Sequence, residues 1–95
     1  MARPLRPRRA RDLPIRELPD GETVVLSPSG AALVLNGTAS VVVYLADGQR
    51  TVEQLADEIA ANTSGATREQ VLADVERIVG ELTEAGCLED AGRAG

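Results

Sequence analysis

The sequence predicts an α+β domain in which a three-stranded antiparallel sheet is followed by three helices. Short apolar runs separated by Pro, Gly, Asp and Ser occupy residues 13–35, which is the pattern of strands joined by tight turns. Beyond residue 50, apolar residues recur at helical spacing instead. Between these regions, Asn36 and Thr51 stand where helix N-caps are expected. A strand, a capped helix, a tight turn and a second capped helix within residues 34–61 are typical of a winged helix-turn-helix domain.

The three predicted strands span residues 13–18, 22–26 and 31–35. Pro14 places the first of them on a sheet edge, because proline cannot donate to a central ladder. Residues 19–21 (Pro-Asp-Gly) form the first turn, and residues 27–30 (Ser-Pro-Ser-Gly) suit a type I turn. Because both connections are short, we expect an antiparallel meander in which the third strand is also an edge.

The run at residues 39–46 has conflicting signals. Val41, Val42, Val43 and Tyr44 favour a strand by propensity, and the following Asp-Gly could be a hairpin turn. The residues beyond that turn have helical periodicity, however, so no partner strand follows. A strand would also leave Asn36 without a helix to cap. We therefore predict a buried helix.

Capping boxes mark the starts of the two remaining helices, since Thr51 is followed by Gln54 and Thr67 by Gln70.

The last helix has an apolar arc about 140° wide, which exceeds the roughly 100° that a helix needs to pack on its own core. We expect Leu72 and Val79, at one margin of the arc, to be left for a partner, although packing under the sheet or the 87–88 segment is an alternative. The arc is closed by Gly86 and consists of Val71, Leu72, Val75, Ile78, Val79, Leu82 and Ala85.

Charge divides the chain into three parts. Residues 1–16 hold six arginines against one aspartate, whereas residues 17–95 hold four arginines against 14 acids. We predict a disordered Arg/Pro-rich arm at 1–12, the folded domain at 13–88 and a frayed tail at 89–95. The arm could be merely solubilising, or it could contact an acidic partner or its own acidic domain. The folded part should repel nucleic acid.

Composition argues against an enzyme. The chain has no His, a single Cys and 1% aromatic residues, so imidazole catalysis and a Cys/His metal cluster are excluded. Its carboxylate pairs fall at solvent-facing helical positions with nothing to tune them. We expect no catalytic residue, no metal and no cofactor. No apolar stretch suits a signal peptide or a membrane span, so we expect a cytoplasmic protein without a membrane partner.

Three motifs in order give the chain a family resemblance. They are a Leu-Asn-Gly-Thr-Ala corner at 35–39, a Leu-Ala-Asp-Gly-Gln-Arg-Thr turn at 45–51 and a Leu-Thr-Glu-Ala-Gly-Cys-Leu end at 82–88. Together they resemble the PqqD family over residues 13–88. The resemblance implies a winged-helix recognition domain for ribosomally synthesised and post-translationally modified peptides (RiPPs). Its implied partners are a precursor leader peptide and a maturation enzyme, such as a radical-SAM protein or a leader peptidase.

The resemblance also implies a peptide-binding site between the third strand and the third helix. In relatives the third strand often carries an aromatic residue, where this chain has alanines, which implies a shallower groove or a different side-chain preference. The implied site consists of Ala31, Ala32, Leu33, Val34 and Leu35 on the strand and Val71, Leu72, Val75, Glu76 and Val79 on the helix.

Two other classes of protein are alternatives. A winged-helix DNA-binding regulator shares the coarse fold, but its recognition helix would carry five acids at residues 69–84 against Arg68 and Arg77. Binding of duplex DNA at low salt would favour that alternative. A small carrier protein would need a modifiable serine at a helix start, whereas Ser40 lies inside an apolar run.

Overall fold

The structure, a computed structural model, describes residues 6–91. The predicted strands appear as Ile15–Glu17 (β2), Thr23–Leu26 (β3) and Ala32–Leu35 (β4), and two further strands were not predicted, Pro7–Arg9 (β1) and Leu88–Asp90 (β5). The helices are Gly37–Leu45 (α1), Val52–Ala61 (α2) and Arg68–Glu84 (α3). The predicted fold class, a three-stranded antiparallel sheet followed by three helices, is confirmed.

The main sheet is an antiparallel meander in the order β2-β3-β4. Val25 at its centre pairs with Ile15 on one side and Leu33 on the other, and these three side chains point toward the helices. Val24 and Leu26 alternate to the opposite face. Within residues 6–91, β4 has a paired strand on one side only, as predicted for a sheet edge.

Each helix begins at the residue that the sequence predicted. The Asn36 Oδ1 accepts a hydrogen bond from the Ala39 N–H at 3.0 Å, which confirms the helix over the valine run. Thr51 and Thr67 form complete capping boxes with Gln54 and Gln70. The valines accept a helix in spite of their strand propensity because the cap starts it and burial stabilises it.

The core lies between the inner sheet face and the three helices, and it is almost wholly aliphatic. Its fully buried members include Val25 from β3, Val42 and Val43 from α1, and Leu55 from α2. α3 contributes Val75 and Val79, which are both at 0% exposure. Such a core is held by branched side chains packed at high density rather than by aromatic rings.

The N-terminal segment differs from its prediction. Instead of a disordered arm, residues 7–9 form β1, which pairs antiparallel with β5 at residues 88–90. β5 includes the first two residues of the predicted frayed tail at 89–95. The backbone bonds that secure the segment include Arg9 N–H to Ala46 O at 3.0 Å, Ala10 N–H to Cys87 O at 2.8 Å, and Gly48 N–H to Pro7 O at 3.0 Å. The parts of the two predictions that concern residues 1–5 and 92–95 lie outside the described residues.

The reason for the difference is that the arginines have partners within the fold. The Arg8 guanidinium pairs with the Glu89 carboxylate at 2.6 Å. Arg9 donates to the carbonyl oxygens of Val43 and Tyr44, each at 2.9 Å, at the C-terminal end of α1, where a cation is favoured. The basic segment thus contacts its own acidic domain, which is one of the alternatives predicted for the arm.

Candidate functional site

The outer edge of β4 is the first component of the site. The Ser27 N–H donates to Ala31 O at 2.8 Å, and the Leu26 N–H points the other way, to Pro14 O at 3.1 Å. Because bonding direction alternates along an antiparallel ladder, Leu33 and Leu35 bond toward β3, whereas Ala32 and Val34 direct their backbone groups away from it. No other strand within residues 6–91 pairs on that side. The edge therefore presents backbone donors and acceptors to an incoming strand.

An apolar groove runs beside this edge, between β4 and the C-terminal half of α3. Its volume is about 410 Å³. The floor is formed by core side chains, among them Leu35, Ile78 and Leu82 at 6%, 5% and 4% exposure. The full lining is Leu33, Val34, Leu35, Asn36, Ala39, Arg77, Ile78, Glu81, Leu82 and Ala85. Open backbone groups and an apolar trough thus lie side by side.

The helix rim of the groove carries charge of both signs. The Arg77 guanidinium lies 3.7 Å from the Asp74 carboxylate and 3.4 Å from that of Glu81. All three side chains are more than half exposed, so these ion pairs are weak and screened by water. The rim can therefore rearrange around a charged group at little cost.

The strand half of the predicted site lies at this groove, and the helix half does not. Leu33, Val34 and Leu35 line the groove, while Ala31 and Ala32 precede them on the same hairpin and are exposed. On α3, three of the predicted wall residues are core instead, and Leu72 and Glu76 are half-buried outside the lining. The three core residues, Val71, Val75 and Val79, have exposures of 5%, 0% and 0%.

The helix residues that the sequence analysis missed are Arg77, Ile78, Glu81, Leu82 and Ala85. Ile78, Leu82 and Ala85 were already within the predicted apolar arc. Ile78 and Ala85 lie at its opposite margin from Leu72, and Leu82 lies near its middle. The arc width signalled that one margin would be left over, but periodicity carries no information about which margin faces the sheet. The rotation of α3 about its own axis decides that, and tertiary packing sets the rotation.

Other chemistry is sparse. Within residues 6–91, no group of three or more His, Cys, Asp or Glu residues is placed to hold a metal ion. Cys87 is fully buried, and burial raises the pKa of its thiol, so it is a packing residue rather than a nucleophile. Among the described helices, none has the length and apolar character needed to cross a membrane.

The fold and the site define a small winged-helix domain with an open sheet edge beside an apolar groove. A family model for coenzyme PQQ synthesis protein D (PqqD) matches residues 22–88. The chain belongs to the PqqD family, which confirms the resemblance seen in the sequence. A search of curated proteins gave no match.

Solved structures share the fold. The PqqD truncation of Methylobacterium extorquens PqqCD, described as a stand-alone RiPP recognition element, is 30% identical, with a TM-score of 0.70 and 87% of each chain covered. TbiB1 in complex with the TbiA(beta) leader peptide has a TM-score of 0.73 at 23% identity, covering 86% of this chain and 94% of the other. Lasso peptide synthetase B1, complexed with its leader peptide, has a TM-score of 0.73 at 21% identity, covering 88% and 98%.

Proposed function

We propose that this protein binds the leader region of a ribosomally made precursor peptide as an added strand on β4 and presents it to a maturation enzyme. The observation that carries the proposal is the open edge at Ala32 and Val34 directly beside the apolar groove. Membership of the PqqD family supports it. So do the leader peptides named with two of the structurally similar chains.

Binding would use two kinds of contact. The peptide backbone would exchange hydrogen bonds with Ala32 and Val34, which gives affinity with little dependence on sequence. Peptide side chains on the helix side would enter the groove over Ile78 and Leu82, which gives selectivity. Both surfaces are already formed in the free chain, so little ordering cost opposes association on the protein side.

Presentation needs no catalytic group in this chain. A leader held on β4 keeps the rest of the precursor tethered, and a short flexible tether gives an effective concentration in about the millimolar range at an enzyme docked nearby. A radical-SAM protein and a leader peptidase both suit this role. The cytoplasm, where precursors are translated, is the expected compartment.

Nucleic acid is not part of the proposal. The exposed side of α3 carries Asp74, Glu81 and Glu84, and its Arg77 already lies between two carboxylates. Phosphates would meet a repulsive field there. In the basic segment around β1, Arg8 and Arg9 are engaged within the fold.

A proline substitution tests the proposal at its central contact. Val34→Pro removes an N–H that faces away from β3, so the main sheet keeps its hydrogen bonds. The added strand loses one hydrogen bond and meets the proline ring. Glu17→Pro is the matched control. Because bonding direction alternates along β2 as well, the Glu17 N–H faces outward from this strand, at the opposite edge of the sheet. The probe is a peptide of about twelve residues selected on the wild-type protein from a randomised phage-display library.

We expect Val34→Pro to weaken binding of the selected peptide at least about tenfold, while Glu17→Pro leaves it within about twofold. Fluorescence anisotropy measures the affinity, and circular dichroism checks that both variants fold. Equal binding by wild type and folded Val34→Pro would exclude strand addition on β4.

A further inference from the structure

The outer face of the main sheet carries an apolar surface, of which only Val34 also lines the groove. Leu26 is 44% exposed and Val34 is 60% exposed. They share this face with Val24 and Ala32, because Val24 pairs with Val34 and Leu26 with Ala32 across the β3-β4 ladder. No helix of the described chain covers these four side chains, since the helices pack on the opposite face with Val25 and Leu33.

A strand added to β4 would extend this outer face. Residues that lie side by side on neighbouring strands point to the same side of a sheet, whichever way the new strand runs. The peptide residues next to Ala32 and Val34 would therefore project onto the outer face. The residue between them would project to the helix side, into the groove. The peptide would thus be recognised on both faces rather than by the groove alone.

On the outer face, side chains that lie side by side across the strands form two rows, and the two rows differ in composition. The row through Val34 continues to Val24 and ends on Arg16 at the far edge. The row through Ala32 continues to Leu26, whose N–H bonds to Pro14, so it is apolar across the whole sheet. The Ala32 row also has a step in height, because a methyl group stands next to a half-exposed leucine side chain.

We propose that the peptide position beside Ala32 takes a large apolar side chain, which lies across Ala32 and covers Leu26. Strands are about 4.8 Å apart, so the added residue would stand about 10 Å from Leu26, with only the alanine methyl between them. A Leu, Met or Phe side chain fills that gap, whereas a charged one would have no partner in the row. This inference rests on the proposed function and names the chemistry of one position in the peptide.

Selection from a randomised peptide library tests the assignment directly. The library is panned in parallel on the wild-type chain and on Ala32→Leu, and the enriched sequences are aligned. We expect one position with a large apolar residue for the wild type, and a change to Gly, Ala or Ser at that position alone for Ala32→Leu. The substitution fills the step with a side chain of the protein, so the peptide no longer has room for its own.

Affinities of the best wild-type peptide provide the second readout. We expect a loss of about tenfold for Ala32→Leu and about fivefold for Leu26→Ala, measured by anisotropy. Val41→Ala is the matched control, because Val41 is 40% exposed on α1, away from this face, and it should bind within about twofold of wild type.

The outcomes separate this inference from the function on which it rests. An enriched peptide that is lost on Val34→Pro but unaffected by Ala32→Leu and Leu26→Ala would overturn the outer-face position alone. Peptides that bind Val34→Pro as well as wild type, or a library that yields no saturable binder, would overturn strand addition and this inference together. Self-association that Leu26→Ala abolishes in sedimentation would show that a second copy covers the face, and would also overturn it.

Discussion

The two margins of the α3 apolar face have the same residue types and the same helical period, yet they meet different surroundings. At one margin, Val79 is fully buried in the core and Leu72 beside it is half-buried. At the other margin, Ile78 and Ala85 line a groove that is open beside β4. The comparison teaches that an apolar stripe is open to a partner where the neighbouring element leaves it partly uncovered, and not where the stripe is widest.

The largest expected effect is on the buried side. Val75→Asp would place an unpaired carboxylate at a site with 0% exposure, and we expect it to reduce the free energy of unfolding by about 3 kcal/mol or more. Leu72→Asp, at a half-buried position of the same helix, is the control and should cost about 1 kcal/mol. Urea denaturation followed by circular dichroism measures both. An unchanged urea midpoint for Val75→Asp would mean that the helix is rotated from its assigned position.

The groove half of α3 should depend on β1. β5 follows α3 within a few residues, and β1 secures β5 by a ladder and by the Ala10 N–H bond to Cys87 O. Deletion of residues 1–10 should therefore cost on the order of 2 kcal/mol. Amide hydrogen exchange should rise more at residues 82–88 than at residues 71–75. Uniform exchange along α3 after the deletion would show that β1 has no local role.

Peptide affinity should distinguish the two margins by about tenfold. Ala85→Arg inserts a long cation into the groove lining and should weaken a selected peptide about tenfold, equivalent to about 1.4 kcal/mol. Leu72→Arg adds the same side chain at the other margin and should bind within about twofold of wild type. Anisotropy titrations of the two variants measure this difference. If Leu72→Arg weakened peptide binding and Ala85→Arg did not, the peptide would contact the Leu72 margin, as the sequence analysis predicted.

The smallest effect is expected at the groove rim. Arg77→Ala removes two exposed ion pairs and should change the free energy of unfolding by about 0.5 kcal/mol or less. The change should shrink further in about 0.5 M salt, because the charges are screened. Urea titrations at low and high salt measure it. A cost above about 1.5 kcal/mol would mean that Arg77 holds the helix in place and is not a free element of the rim.

The sequence was sufficient where a local rule decides the structure. Asn36, Thr51 and Thr67 started their helices as predicted, because a cap depends on neighbours within three residues. β1 was not predicted because its partners, Leu88 and Glu89, are about 80 residues away, and an Arg/Pro-rich segment gives no sign of them. The helix residues of the groove wall were not predicted for a related reason. The rotation of α3 about its axis is fixed by packing against other elements, and periodicity alone does not specify it.

Hydrogen exchange at two backbone amides tests the central claim most directly. In the free chain the N–H groups of Ala32 and Val34 face the open edge, so both should exchange rapidly. Adding a saturating amount of the selected peptide should slow both by at least about tenfold, while Leu33, already bonded to β3, changes less. Rapid exchange at Ala32 and Val34 in the saturated complex, with new protection on α2 or β1 instead, would contradict strand addition on β4.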